Sequence, residues 1–101
     1  MNKETAIKEI KDLLRKNGVE YKDDFEIDII MVKVGRISHF LHFTEKSIAI
    51  ISSVKVGKQD VQTTHIDRWY RDIEWFKFHD NMLWINDNTL GYMTFVMKQG
   101  L

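Results

Sequence analysis

The chain has 101 residues, 44% hydrophobic and 30% charged, which fits one folded domain with one core and excludes a disordered or fibrous chain. Lys plus Arg equals Asp plus Glu at 15 each, and the balance repeats within the parts, six of each sign in residues 1–24 and nine of each in 25–101. Nucleic-acid binders usually carry a basic excess, so no nucleic acid is expected as partner; the absence of cysteine excludes disulfides, thiolate metal sites and a cysteine nucleophile.

Residues 3–17 predict a helix. Ala6, Ile7, Ile10, Leu13 and Leu14 recur at helical spacing and fall on one stripe, which covers the domain's own core. Asn2 stands where an N-cap belongs, and Gly18 where a left-handed residue ends a helix. The charged amphipathic start lacks the apolar run of a signal peptide. The longest apolar stretches, Ile29–Val32 and Ile48–Ile51, are too short to cross a bilayer. A cytoplasmic location without a transmembrane segment is the expectation.

Residues 21–24 read as a short polar connection. From Phe25 the period changes to two: Phe25, Ile27 and Ile29 alternate with acids, then Ile30, Val32 and Val34 take the opposite parity. That switch predicts one strand with a bulge or with both faces buried. Gly35-Arg36 is the turn into a strand at 37–43, and 44–46 is the turn into a strand at 47–56. A short strand follows at 61–64, then a turn or brief helical bend at 65–72 and strands at 73–79, 82–86 and 90–98. Eight of the twelve aromatics lie between His65 and Met97, broken by Asp and Asn turns, as in short half-buried antiparallel strands. The expected fold is α+β, a single domain over 1–101 with a helix at 3–17 and a sheet at 25–98. The sheet is strongly bent and antiparallel, of about seven strands.

That order resembles the pleckstrin-homology-like domains of bacterial proteins. Phe43-Thr44-Glu45-Lys46-Ser47-Ile48-Ala49-Ile50-Ile51 is similar to the family's recurring hairpin, and Asp72-Ile73-Glu74-Trp75-Phe76 to its later strand. The resemblance covers most of residues 3–98 and implies a partly open barrel. It departs in two ways: the family's C-terminal helix has no counterpart before Leu101, and its common Arg after the hairpin Lys is Ser47. The N-terminal helix is expected in place of the missing one.

No catalytic motif or cofactor site is legible, and the expectation is a protein that is not an enzyme. The five glycines are isolated, so there is no phosphate loop, and no Gly-x-Ser-x-Gly elbow occurs. His39 and His42 fall on opposite faces of one strand, while His65 and His79 sit in turns near Asp67 and Asp80. The expectation is scattered imidazoles and no metal. Asn86-Asp87-Asn88-Thr89-Leu90-Gly91 fails as a calcium loop, because Leu90 and Met97 stand where ligands belong. Its polar side chains suit turn stabilisation.

Two surface readings remain. Lys33, Arg36, Lys55 and Lys58 flank strand ends and form a candidate anion-binding cluster for a phosphate or acidic peptide; peripheral lipid contact is not expected. The aromatics Trp69, Tyr70, Trp75 and Trp84 form the candidate partner-binding set. In the adjacent pairs Trp69/Tyr70 and Trp75/Phe76 one ring is expected inside and one outside, the outer rings serving a protein partner, a peptide or a second copy. The strand margin near Val61 and Gln62 is expected to accept an added strand. The functional reading is a non-catalytic interaction module, with a small-molecule, phosphate or metal site as alternative and a single-strand nucleic-acid site behind it.

Overall fold

The computed structural model describes residues 1–24 and 26–100. Helix α1 spans Lys3–Lys16, and the Asn2 side chain accepts from the Thr5 N–H at 2.9 Å, satisfying an amide the helix itself leaves open. At the other end Gly18 takes φ +68°, and the Val19 N–H reaches the Leu14 carbonyl. Ala6, Ile10 and Leu14 are fully buried, with Ile7 and Leu13 packed at the core's edge, so the stripe covers the domain's own interior.

Eight strands follow among the described residues: β1 Lys22–Asp24, β2 Ile29–Val34, β3 Ile37–Phe43, β4 Ser47–Val56, β5 Gln59–Trp69, β6 Ile73–His79, β7 Met82–Asp87 and β8 Gly91–Val96. They form two antiparallel sheets, β1-β2-β3-β4-β5 and β6-β7-β8, with no closed barrel. The architecture is therefore α+β, but with two sheets in place of one bent sheet of about seven strands.

The boundary between the sheets is a 3-10 turn at Tyr70–Asp72. Tyr70 is 2% exposed, and its hydroxyl donates to the Thr44 carbonyl at 2.7 Å, which pins the chain where it leaves β5. Burial and the nearby acids Glu45, Asp28 and Asp67 push this phenol far above its ordinary range.

Three expected elements change. Residues 22–24 are a strand paired with β2, not a polar connection. Residues 26–28 are a turn, with Asp28 at φ +51° and Ile27 half exposed, so the switch of parity comes from a reversal of the chain. The expected start of that strand at Phe25 lies outside the described residues. Strand β5 runs unbroken through 59–69 instead of ending at 64, because Thr64, His65, Ile66 and Asp67 each pair with β4.

Alternate residues of both sheets meet α1 in one core: Ile30, Val32, Leu41, Phe43, Ile48 and Ile50 from the larger sheet, and Ile73, Phe76, Leu83, Ile85 and Phe95 from the smaller. The hairpin β6–β7 turns at Asp80-Asn81, both at positive φ, a conformation these two residue types tolerate and two-residue hairpins require.

His39 joins the sheets from the inside. It is 4% exposed; Nε2 lies 2.7 Å from the Val96 carbonyl and Nδ1 2.6 Å from Ser52 Oγ. A carbonyl only accepts, so Nε2 carries the proton and Nδ1 accepts from the serine hydroxyl. Burial lowers this imidazole's pKa below the usual 6.5, against the raising effect of its bond to Val96. The unfolded chain then binds the proton more readily, so stability is full above pH 6.5 and falls as pH drops from there through the folded-state value. Thermal unfolding at pH 7.5 and pH 5.5 checks this: the midpoint drops at the lower pH, and His39→Leu, though less stable, shows a smaller drop.

Candidate functional site

The three-stranded sheet turns one face to the core and leaves the other open. Phe76, Leu83, Ile85 and Phe95 point inward, so the alternate residues Trp75, Lys77, Met82, Trp84, Asn86, Tyr92, Thr94 and Val96 point outward. Register places Trp75, Asn86 and Tyr92 in one row and Lys77, Trp84 and Thr94 in the next.

The rings of Trp75 and Tyr92 lie 5.8 Å apart at 40°, and those of Trp84 and Tyr92 6.2 Å apart, edge to face. Both are normal geometries for interacting rings. The Lys77 ammonium sits 4.2 Å from the centre of Trp75, and the Trp84 indole N–H donates to the His79 carbonyl at 3.2 Å. Asn86 donates to Glu74 at 3.0 Å on the same face. The rings are thus held in fixed orientations while Tyr92 stays 65% exposed. Trp75 also borders a groove between α1 and β6, lined by Leu13, Glu9 and Asp12.

The structure separates the candidate aromatics. Trp75 and Trp84 come together around Tyr92, a residue outside the expected set. Its signal was present: Phe95 and Met93 share the inward parity of β8, which puts Tyr92 outside. Trp69 is outward and 47% exposed, with the Arg71 guanidinium 4.9 Å from its ring. It lies beside Met1, Asn2 and Glu45, whereas Trp75 lies beside Leu13 and Lys16. Those two places are about 18 Å apart along α1. Tyr70 belongs to the core and offers no surface. In both adjacent pairs one ring is inside, Tyr70 or Phe76, and the other outside, Trp69 or Trp75.

Val61 and Gln62 are exposed on β5, which is a sheet margin along its whole length. A register shift opposite Ser52/Ser53 and the charges of Asp60, Asp67 and Arg68 blunt that margin. Of the basic cluster, Arg36 and Lys55 are brought together where the Lys55 N–H meets the Arg36 carbonyl at 2.9 Å. Lys55 faces Asp60 across the ladder, Lys58 occupies the β4–β5 turn, and Lys33 pairs with Ser38 farther along the sheet.

Of the histidines, His39 is buried and His42, His65 and His79 are exposed; His79 Nε2 lies 3.2 Å from Asp80, not from Glu74 or Asp72. Among the described residues no three His, Cys, Asp or Glu side chains converge for a metal. Asp87 stabilises its turn as expected, Oδ1 accepting from the Thr89 and Leu90 N–H groups at 2.8 and 2.9 Å. On the larger sheet Ile27, Ile29, Met31 and Phe40 floor an open groove of about 800 Å³ with Asp23, Asp24 and Glu26 at its rim. Among the described residues no helix is long and apolar enough to cross a membrane.

Comparison with protein-family models, curated proteins and solved structures returned no significant match.

Proposed function

We propose that this chain is a non-catalytic interaction module that binds a protein or peptide partner, or its own copy, through the outer face of the three-stranded sheet. The observation that carries this reading is the cluster of Trp75, Trp84 and Tyr92, fixed by one another, by Lys77 and by the His79 carbonyl, with both indoles half-buried and Tyr92 open to solvent. Tryptophan and tyrosine contribute large contact area at small entropic cost and dominate binding hot spots. Stacking of single-stranded nucleic acid is less well supported, because rings inclined at 40° and 76° do not offer parallel faces and the chain has no net charge.

One observation favours a second reading, a small-molecule site: the apolar floor of the groove at Ile29, Met31 and Phe40. The pleckstrin-homology-like kinship and a cytoplasmic setting belong to the proposal as well. An antiparallel body with one helix packed against it supports the first, and the charged amphipathic start at Lys3–Lys16 supports the second.

Selection of a displayed random-peptide library on the purified protein tests the main reading. Peptides that bind the wild type are expected to lose about 10-fold or more in affinity on Trp84→Ala or Tyr92→Ala. Equal binding to both variants places the site elsewhere and overturns the reading.

A further inference from the structure

A sheet margin exposes unpaired N–H and C=O groups, and proteins blunt margins by brevity, charge, register shifts or a covering element. Three of the four margins here are blunted. β1 has three residues, all charged; β5 has the register shift and charges described above; β6 carries Glu74 and Lys77 and lies against α1. The fourth, β8, is Gly-Tyr-Met-Thr-Phe-Val: no charge, no proline and no register shift against β7.

The hydrogen bonds show which groups of β8 are open. The Met97 N–H donates to the Asn81 carbonyl at 2.9 Å, which fixes the phase of the ladder beside the pair Met82/Val96. Residues 91, 93, 95 and 97 therefore turn their backbone groups to β7, and Tyr92, Thr94 and Val96 turn theirs away. The Val96 carbonyl fits that phase, because it accepts from His39 across the sheets. The N–H and C=O groups of Tyr92 and Thr94 are left facing outward, beneath exposed side chains.

We propose that this margin pairs antiparallel with β8 of a second copy about a two-fold axis, joining two three-stranded sheets into one of six strands. This inference rests on the interaction reading above and names the partner of the same face. Charge selects the occupant. Tyr92, Thr94, Val96, Trp84, Asn86 and Met82 are uncharged, and Lys77 and Glu74 stand two strands away on β6. Two copies therefore meet here without the like-charge opposition that self-pairing of the charged margins β1 or β5 would impose. The phase is also self-complementary. With Met93 on the axis, Tyr92 stands opposite Thr94 of the partner subunit and each exchanges both its backbone bonds, an isologous contact that closes on itself. Tyr92, 65% exposed in the single chain, becomes covered, and the ring clusters of the two copies flank one continuous face.

Sedimentation velocity on the full chain between about 10 μM and about 1 mM tests this, since an interface this small gives a weak dimer. The expected mass rises with concentration from 12.1 kDa toward twice that value. Thr94→Lys raises the dissociation constant about 10-fold or more, while Gln62→Lys on the β5 margin leaves it unchanged. Tyr92→Ser is the second disrupting variant and serves where Lys at 94 unfolds the chain, as circular dichroism would report. A mass that stays at 12.1 kDa throughout overturns the proposal, as does an association that Gln62→Lys weakens and the β8 variants do not. A monomer that still binds displayed peptides through Trp84 sinks the self-pairing alone and leaves the wider reading standing.

Discussion

Asp87→Ala is expected to lower the unfolding free energy by about 3 kcal/mol or more, read from the urea midpoint at neutral pH. The carboxylate is 3% exposed and has two tasks. Its Oδ1 holds the turn into β8 through the Thr89 and Leu90 N–H groups, and its Oδ2 lies 3.8 Å from Nε of Arg68, which reaches across from β5. That nitrogen is buried and has no hydrogen-bond partner, while Nη2 meets the Met93 sulfur at 2.9 Å and Nη1 donates to the Asp67 carbonyl at 3.1 Å. Removing the carboxylate leaves the buried Nε of a largely covered guanidinium without its counter-charge and takes the acceptor away from two turn amides. Leaving a buried charge uncompensated costs more than a neutral bond. Asp87→Asn keeps an acceptor for the turn and loses only the charge, so its cost is smaller, about 1–3 kcal/mol. Equal losses for the two variants would mean that the charge carries the whole effect and the turn bonds contribute nothing; an Asp87→Asn protein as stable as wild type would mean the charge contributes nothing.

Phe43→Ala is expected to cost about 3–5 kcal/mol, a large share of the 5–15 kcal/mol that stabilises an ordinary domain. Phe43 is 1% exposed and heads the fully buried side chains by volume, on β3 within the core shared by both sheets and α1. Its loss leaves a cavity that the paired backbones of β2, β3 and β4 resist closing. Phe43→Leu keeps most of the volume and costs less, about 1.5 kcal/mol. Calorimetry or urea unfolding separates the two variants. A Phe43→Ala protein within 1 kcal/mol of wild type would show that this interior readily rearranges.

Legibility in the sequence follows how local the physics is. Helix α1 was readable to within a residue, because the Asn2 cap, the Gly18 stop and the stripe Ala6–Ile10–Leu14 are set within the segment itself. The turns at Gly35-Arg36 and Asp80-Asn81 and the strands β3, β4 and β6 carry their own alternation. What failed needed distant partners. Ile27 reads as a strand residue because it is apolar and alternates with acids, yet it is half exposed in a turn, with Asp28 in the left-handed region. Residues 65–69 look like a bend by composition, but Ile51, Ile50 and Ala49 on β4 supply the pairing that keeps β5 extended. The split into two sheets has no local signature. At the boundary Tyr70 reaches back to the Thr44 carbonyl, a bond between residues 26 apart.

The candidate site was half legible for the same reason. One-in, one-out parity of Trp69/Tyr70 and Trp75/Phe76 is a property of adjacent residues and could be read directly. Which outer rings meet depends on register: Trp75 pairs with Asn86 and Asn86 with Tyr92, which assembles the cluster and leaves Trp69 at the other end of α1. The margin chosen by composition, Val61–Gln62, is a real sheet edge, but its neighbours Asp60 and Asp67 blunt it. The less polar margin belongs to β8, where only the ladder phase shows which backbone groups stay open.

Deuterium exchange of single backbone amides, followed by NMR at about 10 μM and about 1 mM, tests most directly whether recognition uses β8 and its ring-lined face. The account predicts that the Tyr92 and Thr94 amides exchange more slowly at the higher concentration, with shifts in the Trp75 and Trp84 indole signals, while the Gln62 and Thr64 amides are unchanged. Identical exchange of Tyr92 and Thr94 at both concentrations, or slowing confined to β5, would contradict it.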